Sequence, residues 1–194
     1  MVVGARRQQA AQTEAELKAA AIRVFERVGY LNTKITDITA EAGRATGSFY
    51  KHFTSKEKLL EALLADLLAE GDASAELAGH LDDFRDREAV RWHVAVYWNF
   101  YRGHRAVMSA LHQAAIVDEE FARRSREMLE PDLRHIAGHL AGLDLHGDPL
   151  VAASLFTTTI SAVAAAWFTG AIPASGEDEM IETLTTFLYA GLGG

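Results

Sequence analysis

The chain has no cysteine, so neither a disulfide framework nor a thiolate metal site is open to it, which suits a reducing cytoplasm. Prolines number only three in 194 residues, and runs that alternate apolar with polar residues are scarce; the first permits long helices and the second argues against strands. The first twelve residues are rich in Ala, Gln and Arg and lack an apolar signal-peptide segment, so secretion is not expected. An uninterrupted bilayer-length run is missing too. The longest apolar stretch, Val151 to Phe168, is broken by Ser154, Thr157, Thr158, Thr159 and Ser161, which suits close helix packing better than lipid, so no membrane partner is expected. Positive charge is also short: 19 Lys and Arg face 27 Asp and Glu, for a net −8. Taken alone, that balance argues against nucleic acid, whose phosphates are bound by cations.

The average hides a division. Residues 1–60 carry ten Lys and Arg against six Asp and Glu, a net of +4, whereas residues 61–194 carry nine against twenty-one, a net of −12. A basic head on an acidic body is a sharper signal than the total. With 49% of its residues apolar, the chain has enough for a substantial core.

Helical periodicity runs the length of the chain and predicts an all-α fold of about nine helices. Thr13 to Val28 forms the first, with Thr13 and Glu16 at capping-box spacing and Leu17, Ala21, Val24, Phe25 and Val28 on one face. A short second helix runs from a Thr36 cap to Gly43, and a third from Thr46 to Phe53. Thr54 and Glu57 then have capping-box spacing ahead of a long leucine-rich fourth helix. The others are expected near Asp86 to Arg102, His104 to Ile116, Glu119 to Leu143, Pro149 to Thr169 and Glu177 to Leu192. Pro131 either kinks or splits the seventh. The expected domains are a basic three-helix head at 1–56 and a helical body at 57–194.

Residues 36–53 place two short helices around a glycine turn, which is helix-turn-helix spacing. Ile38, Ala42, Phe49 and Phe53 supply a packing set, leaving Thr46, Gly47, Ser48, Tyr50, Lys51 and His52 for the outer face. Small residues at the start of the third helix let its backbone approach DNA closely.

These residues closely resemble the TetR family, the tetracycline-repressor-like bacterial transcription regulators. The resemblance rests on Phe25 with Gly29-Tyr30, Thr36-x-Ile38-x-x-x-Ala42-Gly43, Gly47 to Phe53, and Ser55-Lys56-Glu57-x-Leu59-Leu60. It covers roughly residues 13–64. It implies a homodimer whose third helices enter successive major grooves of double-stranded DNA at a palindromic operator, with Thr36, Tyr50 and Lys56 holding phosphates. Arg44 departs from the family's usual small apolar residue in the turn, and either bends outward to DNA or is simply solvated. The last two helices, rich in small and β-branched residues, are assigned by the resemblance to a four-helix dimer bundle.

The middle of the chain carries more aromatic residues than a minimal bundle needs, which suggests an apolar pocket. Its candidate lining is Trp92, His93, Tyr97, Tyr101, Met108, His112, Phe156 and Trp167, and the ligand expected there is hydrophobic or aromatic. His135 and His139 stand four apart, as zinc ligands can, but two imidazoles alone make no site, and neither metal nor cofactor is expected. Nucleotide-cradling, nucleophile-elbow and metalloprotease patterns are absent, so an enzyme is not expected. The function expected is a cytoplasmic, ligand-responsive repressor; the alternative is an activator or architectural regulator with no small-molecule ligand.

Overall fold

The computed structural model describes residues 2–75, 80–145, 147–173 and 176–193. Among them are nine α-helices and no strand: α1 (Val2–Val28), α2 (Ile35–Glu41), α3 (Thr46–Phe49), α4 (Lys56–Ala75), α5 (Arg87–Gly103), α6 (Arg105–Val117), α7 (Glu119–Leu140), α8 (Pro149–Phe168) and α9 (Glu177–Gly191). They gather into two compact units. The first holds Met1–Ala69 with Arg105–Arg126, and the second holds Glu70–His104 with Glu127–Gly194. α4 runs through the boundary between them.

In the first unit α1 buries Leu17, Ala20, Ala21, Val24 and Phe25 on one face, the helical spacing of a core stripe. α2 and α6 pack against it. The helix closes at Gly29, whose φ of +76° and N–H to the Phe25 carbonyl at 2.9 Å form a left-handed stop. Its start differs from expectation. Thr13 lies inside α1, buried, and its hydroxyl donates to the Gln9 carbonyl at 3.0 Å instead of capping. Val28, expected on the core face, is 40% exposed.

The starts of the next helices also differ from expectation, by two residues at α2 and by one at α4. α2 starts from an N-cap at Lys34, and Asp37, its third residue, reaches back to accept from the Lys34 N–H at 2.9 Å, while Thr36 lies inside the helix, exposed. α4 is capped by Ser55, not Thr54: its hydroxyl accepts from the Lys58 N–H at 3.2 Å. At α4 a neighbouring hydroxyl with equal capping chemistry stands where the backbone turns. α3 is shorter than expected, because after Phe49 the chain tightens into i→i−3 bonds, Lys51 to Ser48 and His52 to Phe49.

In the second unit α5 packs against α8 and α9. Its core includes Trp98, Phe84, Phe156, Leu140 and Ile160, all nearly inaccessible. Asp86 and Asp148 cap α5 and α8 through the N–H groups of Glu88 and Leu150. Arg87 and Arg91 of α5 both reach Glu182 of α9, and Arg102 reaches Glu177 at 2.9 Å. α7 continues unbroken through Pro131. α8 is long and apolar enough to cross a membrane by length and composition, yet Ala153, Phe156, Ile160 and Ala164 form a buried stripe at helical spacing. Its hydroxyls do not disturb this packing, since Ser154 and Thr157 donate to carbonyls four residues back.

Candidate nucleic-acid interface

Four residues of helix are too few to hold themselves, so α3 depends on what pins it. Phe49 is fully buried, with its ring 5.6 Å from that of Phe53, and Ile38 of α2 is buried as well. Across the turn, Gly43 takes a φ of +63° and the Arg44 N–H reaches the Thr39 carbonyl at 2.8 Å. A side chain other than glycine would strain that backbone. Thr39 is buried and its hydroxyl lies 3.5 Å from that of Thr46, joining α2 to the first residue of α3.

The outer rim then follows. Thr36, Thr46, Gly47, Tyr50 and Lys51 are exposed, and Ser48 and His52 are half-buried. A Cβ at Gly47 would meet nothing within 4 Å, so the backbone there faces open space. Tyr50 rests its ring edge-on against Phe49 at 5.6 Å while 57% of the residue stays accessible. Its aromatic body is therefore braced and its hydroxyl is free to meet a phosphate. His52 leans toward Glu14 of α1, with Nδ1 3.9 Å from the carboxylate.

Two of the sequence-predicted DNA contacts are engaged inside the unit. Arg44 donates through Nε to Glu16 of α1 at 2.9 Å and through a second nitrogen to the same oxygen, so its guanidinium is neither free nor merely solvated. These bonds hold the Glu16 carboxyl below its ordinary range. Lys56 donates to the carbonyls of Tyr30 at 2.7 Å and Thr33 at 2.9 Å, with its ammonium 4.0 Å over the Tyr30 ring. Burial lowers its pKa. Tyr30 in turn donates its hydroxyl to Glu57 at 2.8 Å, and burial together with that carboxylate pushes its pKa up. Lys56 thus ties the start of α4 to the loop between α1 and α2.

Other cations of this unit are spent similarly. Lys18 binds Asp66 at 2.9 Å, Arg23 and Arg27 share Glu41, and Lys58 binds Glu61. Among the described residues, Arg6, Arg7, Lys34 and Lys51 carry no such pairing and are exposed. Sequence spacing does not separate these from the paired ones, because most of the pairs join residues on different helices.

The eight residues expected to line a ligand pocket are distributed more widely. Met108 and His112 lie on α6 in the first unit, half-buried and exposed respectively. In the second unit Trp92, His93 and Phe156 form one aromatic group around Phe84, in which the Phe84 ring is 4.7 Å from His93 and 5.4 Å from Phe156. Tyr101 and Trp167 form another with Trp98 and Phe168, the rings of Trp98 and Trp167 lying 5.4 Å apart. Tyr97 is half-buried, and burial pushes its phenol up. Neither surface depression that stands out is lined by these residues: one lies between α1 and α2 at Val24, Val28 and Asp37, the other along α8 at Val151, Leu155 and Thr158.

Comparison with known proteins agrees with this architecture. Residues 17–63 match the profile of a family described as "Bacterial regulatory proteins, tetR family". The HTH-type transcriptional repressor NicS of Pseudomonas putida is 30% identical over 140 residues, which is 72% of this chain and 63% of that protein's length. Two solved structures share the fold. A TetR-like transcriptional regulator from a Rhodococcus strain superposes with a TM-score of 0.69 at 22% identity, over 94% of this chain and 96% of that one. The regulator FadR of Bacillus subtilis, solved in complex with stearoyl-CoA, superposes with a TM-score of 0.71 at 18% identity, over 91% and 98%. With nine helices among the described residues, a turn at Gly43 between α2 and α3, and a matching segment that covers both, the chain resembles the TetR family in its N-terminal part and shares the fold of TetR-like regulators.

Proposed function

We propose that the protein is a homodimeric, cytoplasmic transcriptional repressor that a small hydrophobic or aromatic effector releases from a palindromic DNA operator. The observation that carries this reading is the pinned α3, which presents Thr46, Gly47, Ser48, Tyr50 and Lys51 outward from a buried Phe49. Thr46 to Ser48 approach base edges, Tyr50 and Thr36 meet phosphate oxygens, and Lys51 joins Lys34, Arg6 and Arg7 in supplying unpaired positive charge. Arg44 and Lys56 act one step back, by holding the turn and the start of α4.

Dimerisation is assigned to α8 and α9. Val151, Leu155 and Phe187 are 58%, 64% and 68% exposed, an apolar surface that a second copy would cover in an isologous interface. The effector is assigned to the second unit, where the Trp167 indole N–H is buried without an acceptor among the described residues. An apolar molecule carrying one hydrogen-bond acceptor suits it. α4, continuous across both units, would carry the coupling, worth about 1–3 kcal/mol in typical regulators. The alternative, a regulator without an effector, draws support from the expected pocket residues packing on one another.

The test is to capture genomic duplexes with the purified protein, sequence them, and measure affinity for the enriched site against salt. A near-palindromic site and an affinity that falls steeply with salt are expected. Salt-independent binding, or no enrichment, would refute DNA reading. Added apolar ligands that release the site support the repressor; a site that none of them releases favours the alternative.

A further inference from the structure

Half of the chain's eight histidines meet in the second unit. His80 lies in the irregular connection before α5, His93 on α5, and His135 and His139 on α7. His80 Nε2 is 3.4 Å from His93 Nε2, and His135 Nε2 is 3.2 Å from His139 Nε2. One ring nitrogen each from His80, His93 and His139 falls within a 4.8 Å span. A tetrahedral ion with Zn–N bonds of roughly 2.0–2.1 Å needs ligand nitrogens about 3.3–3.4 Å apart. The closer pairs already have that spacing, and a small side-chain rotation brings the third nitrogen to it.

The surroundings prepare these rings as ligands. His93 Nδ1 stands 2.9 Å from the Ala89 carbonyl, which can only accept, so in the neutral ring the proton sits on Nδ1 and the Nε2 lone pair points into the cluster. His139 is bonded to the backbone of Asp82. Metal-binding imidazoles are commonly oriented by such second bonds. Phe84 stacks on His139 at 5.4 Å, and Trp92 lies 5.1 Å from His80 and 4.8 Å from His93, an apolar wall that lowers the local dielectric. Two separate imidazole hydrogen bonds would account for each close pair, but they give no reason for both pairs to converge.

We propose that His80, His93 and His139, with His135 beside His139, form a binding site for a divalent transition-metal ion of the zinc type. An all-imidazole set favours zinc, cobalt, nickel or copper over magnesium and calcium, which require oxygen ligands. The ion would fasten the connection before α5 to α5 and α7. This site does not depend on the DNA reading, and its test reads metal binding alone.

Metal-free full-length protein is titrated with Co²⁺ and followed by its visible d–d absorption, then with Zn²⁺ and followed by thermal melting. One equivalent of Co²⁺ in a tetrahedral spectrum and a rise in Tm with Zn²⁺, reversed by a chelator, are expected. Mg²⁺ should produce neither. His139→Ala should weaken Co²⁺ binding at least ~10-fold. His80→Ala should do the same, and because His80 lies outside any helix its loss leaves the folded circular dichroism spectrum intact. Absence of the cobalt spectrum in the native protein, or affinity unchanged in a folded His80→Ala variant, would overturn the site.

Discussion

Both units tie distant helices with ion pairs, but they differ in what those ties surround. In the first, charges join elements distant in sequence: Arg44 to Glu16, Lys18 to Asp66, Tyr30 to Glu57, Lys56 to two loop carbonyls. Those ties surround a helix of four residues and leave its outer face free. In the second unit, rings pack on rings, hydroxyls fold back onto their own helices, and the outer faces of α8 and α9 keep exposed apolar side chains. The contrast suits the two tasks proposed for them. Presenting a rigid rim to a polyanion needs precise placement of a few groups, whereas covering a partner or enclosing a small apolar ligand needs area and shape.

The largest effect that tests this contrast is expected at Phe49. Phe49→Ala should cost about 3–5 kcal/mol, the range for a buried aromatic, measured by urea denaturation, and should abolish DNA binding by releasing α3. Trp98→Ala in the second unit should cost a similar amount. If Phe49→Ala costs less than about 1 kcal/mol, as at a surface site, α3 is held by its polar ties and not by its core anchor. Next comes the exposed apolar face. Phe187→Asp combined with Leu155→Asp should convert a dimer to monomers in sedimentation, because each side chain forfeits about 1.5–3 kcal/mol of burial per protomer. A dimer that survives both changes moves the interface elsewhere.

Most of the helices were legible because apolar periodicity is a local property. The stripe Leu17, Ala21, Val24, Phe25 and the positive-φ turn at Gly43 needed no tertiary information. The choice between Thr54 and Ser55 as cap turns on a backbone rotation that equal capping chemistry does not encode, and α2 starts from Lys34, whose side chain carries no capping signal. The roles of Arg44 and Lys56 were not legible, since their partners lie 28 and 26 residues away. The histidine group was half visible: His135 and His139 share a helix, but His80 and His93 join them only through the packing of α7 and the connection before α5.

A smaller effect separates positioning from contact. Lys56→Met removes two charge-assisted bonds from the Tyr30 and Thr33 carbonyls and should lower stability by about 1–2 kcal/mol at this half-exposed site. Its effect on the salt dependence of DNA binding should be slight. Lys51→Ala should do the reverse, leaving the melting temperature nearly unchanged while reducing the slope of log affinity against log salt by about 0.9, the loss of one phosphate contact. Equal changes in slope for both variants would return Lys56 to the DNA surface.

The smallest expected effect falls at Arg44, and it decides between the two tasks most directly. If the guanidinium serves by gripping Glu16, then Arg44→Ala and Glu16→Ala perturb the same turn. Each should lower DNA affinity slightly and by the same factor, the double variant should add nothing further, and the salt slope should stay constant. If Arg44 instead reaches a phosphate when DNA is bound, the two substitutions diverge. Arg44→Ala then lowers both affinity and slope, while Glu16→Ala frees the cation and raises affinity. Fluorescence anisotropy on one operator duplex at several salt concentrations reads all four proteins, and the sign of the Glu16→Ala change alone distinguishes a brace from a contact.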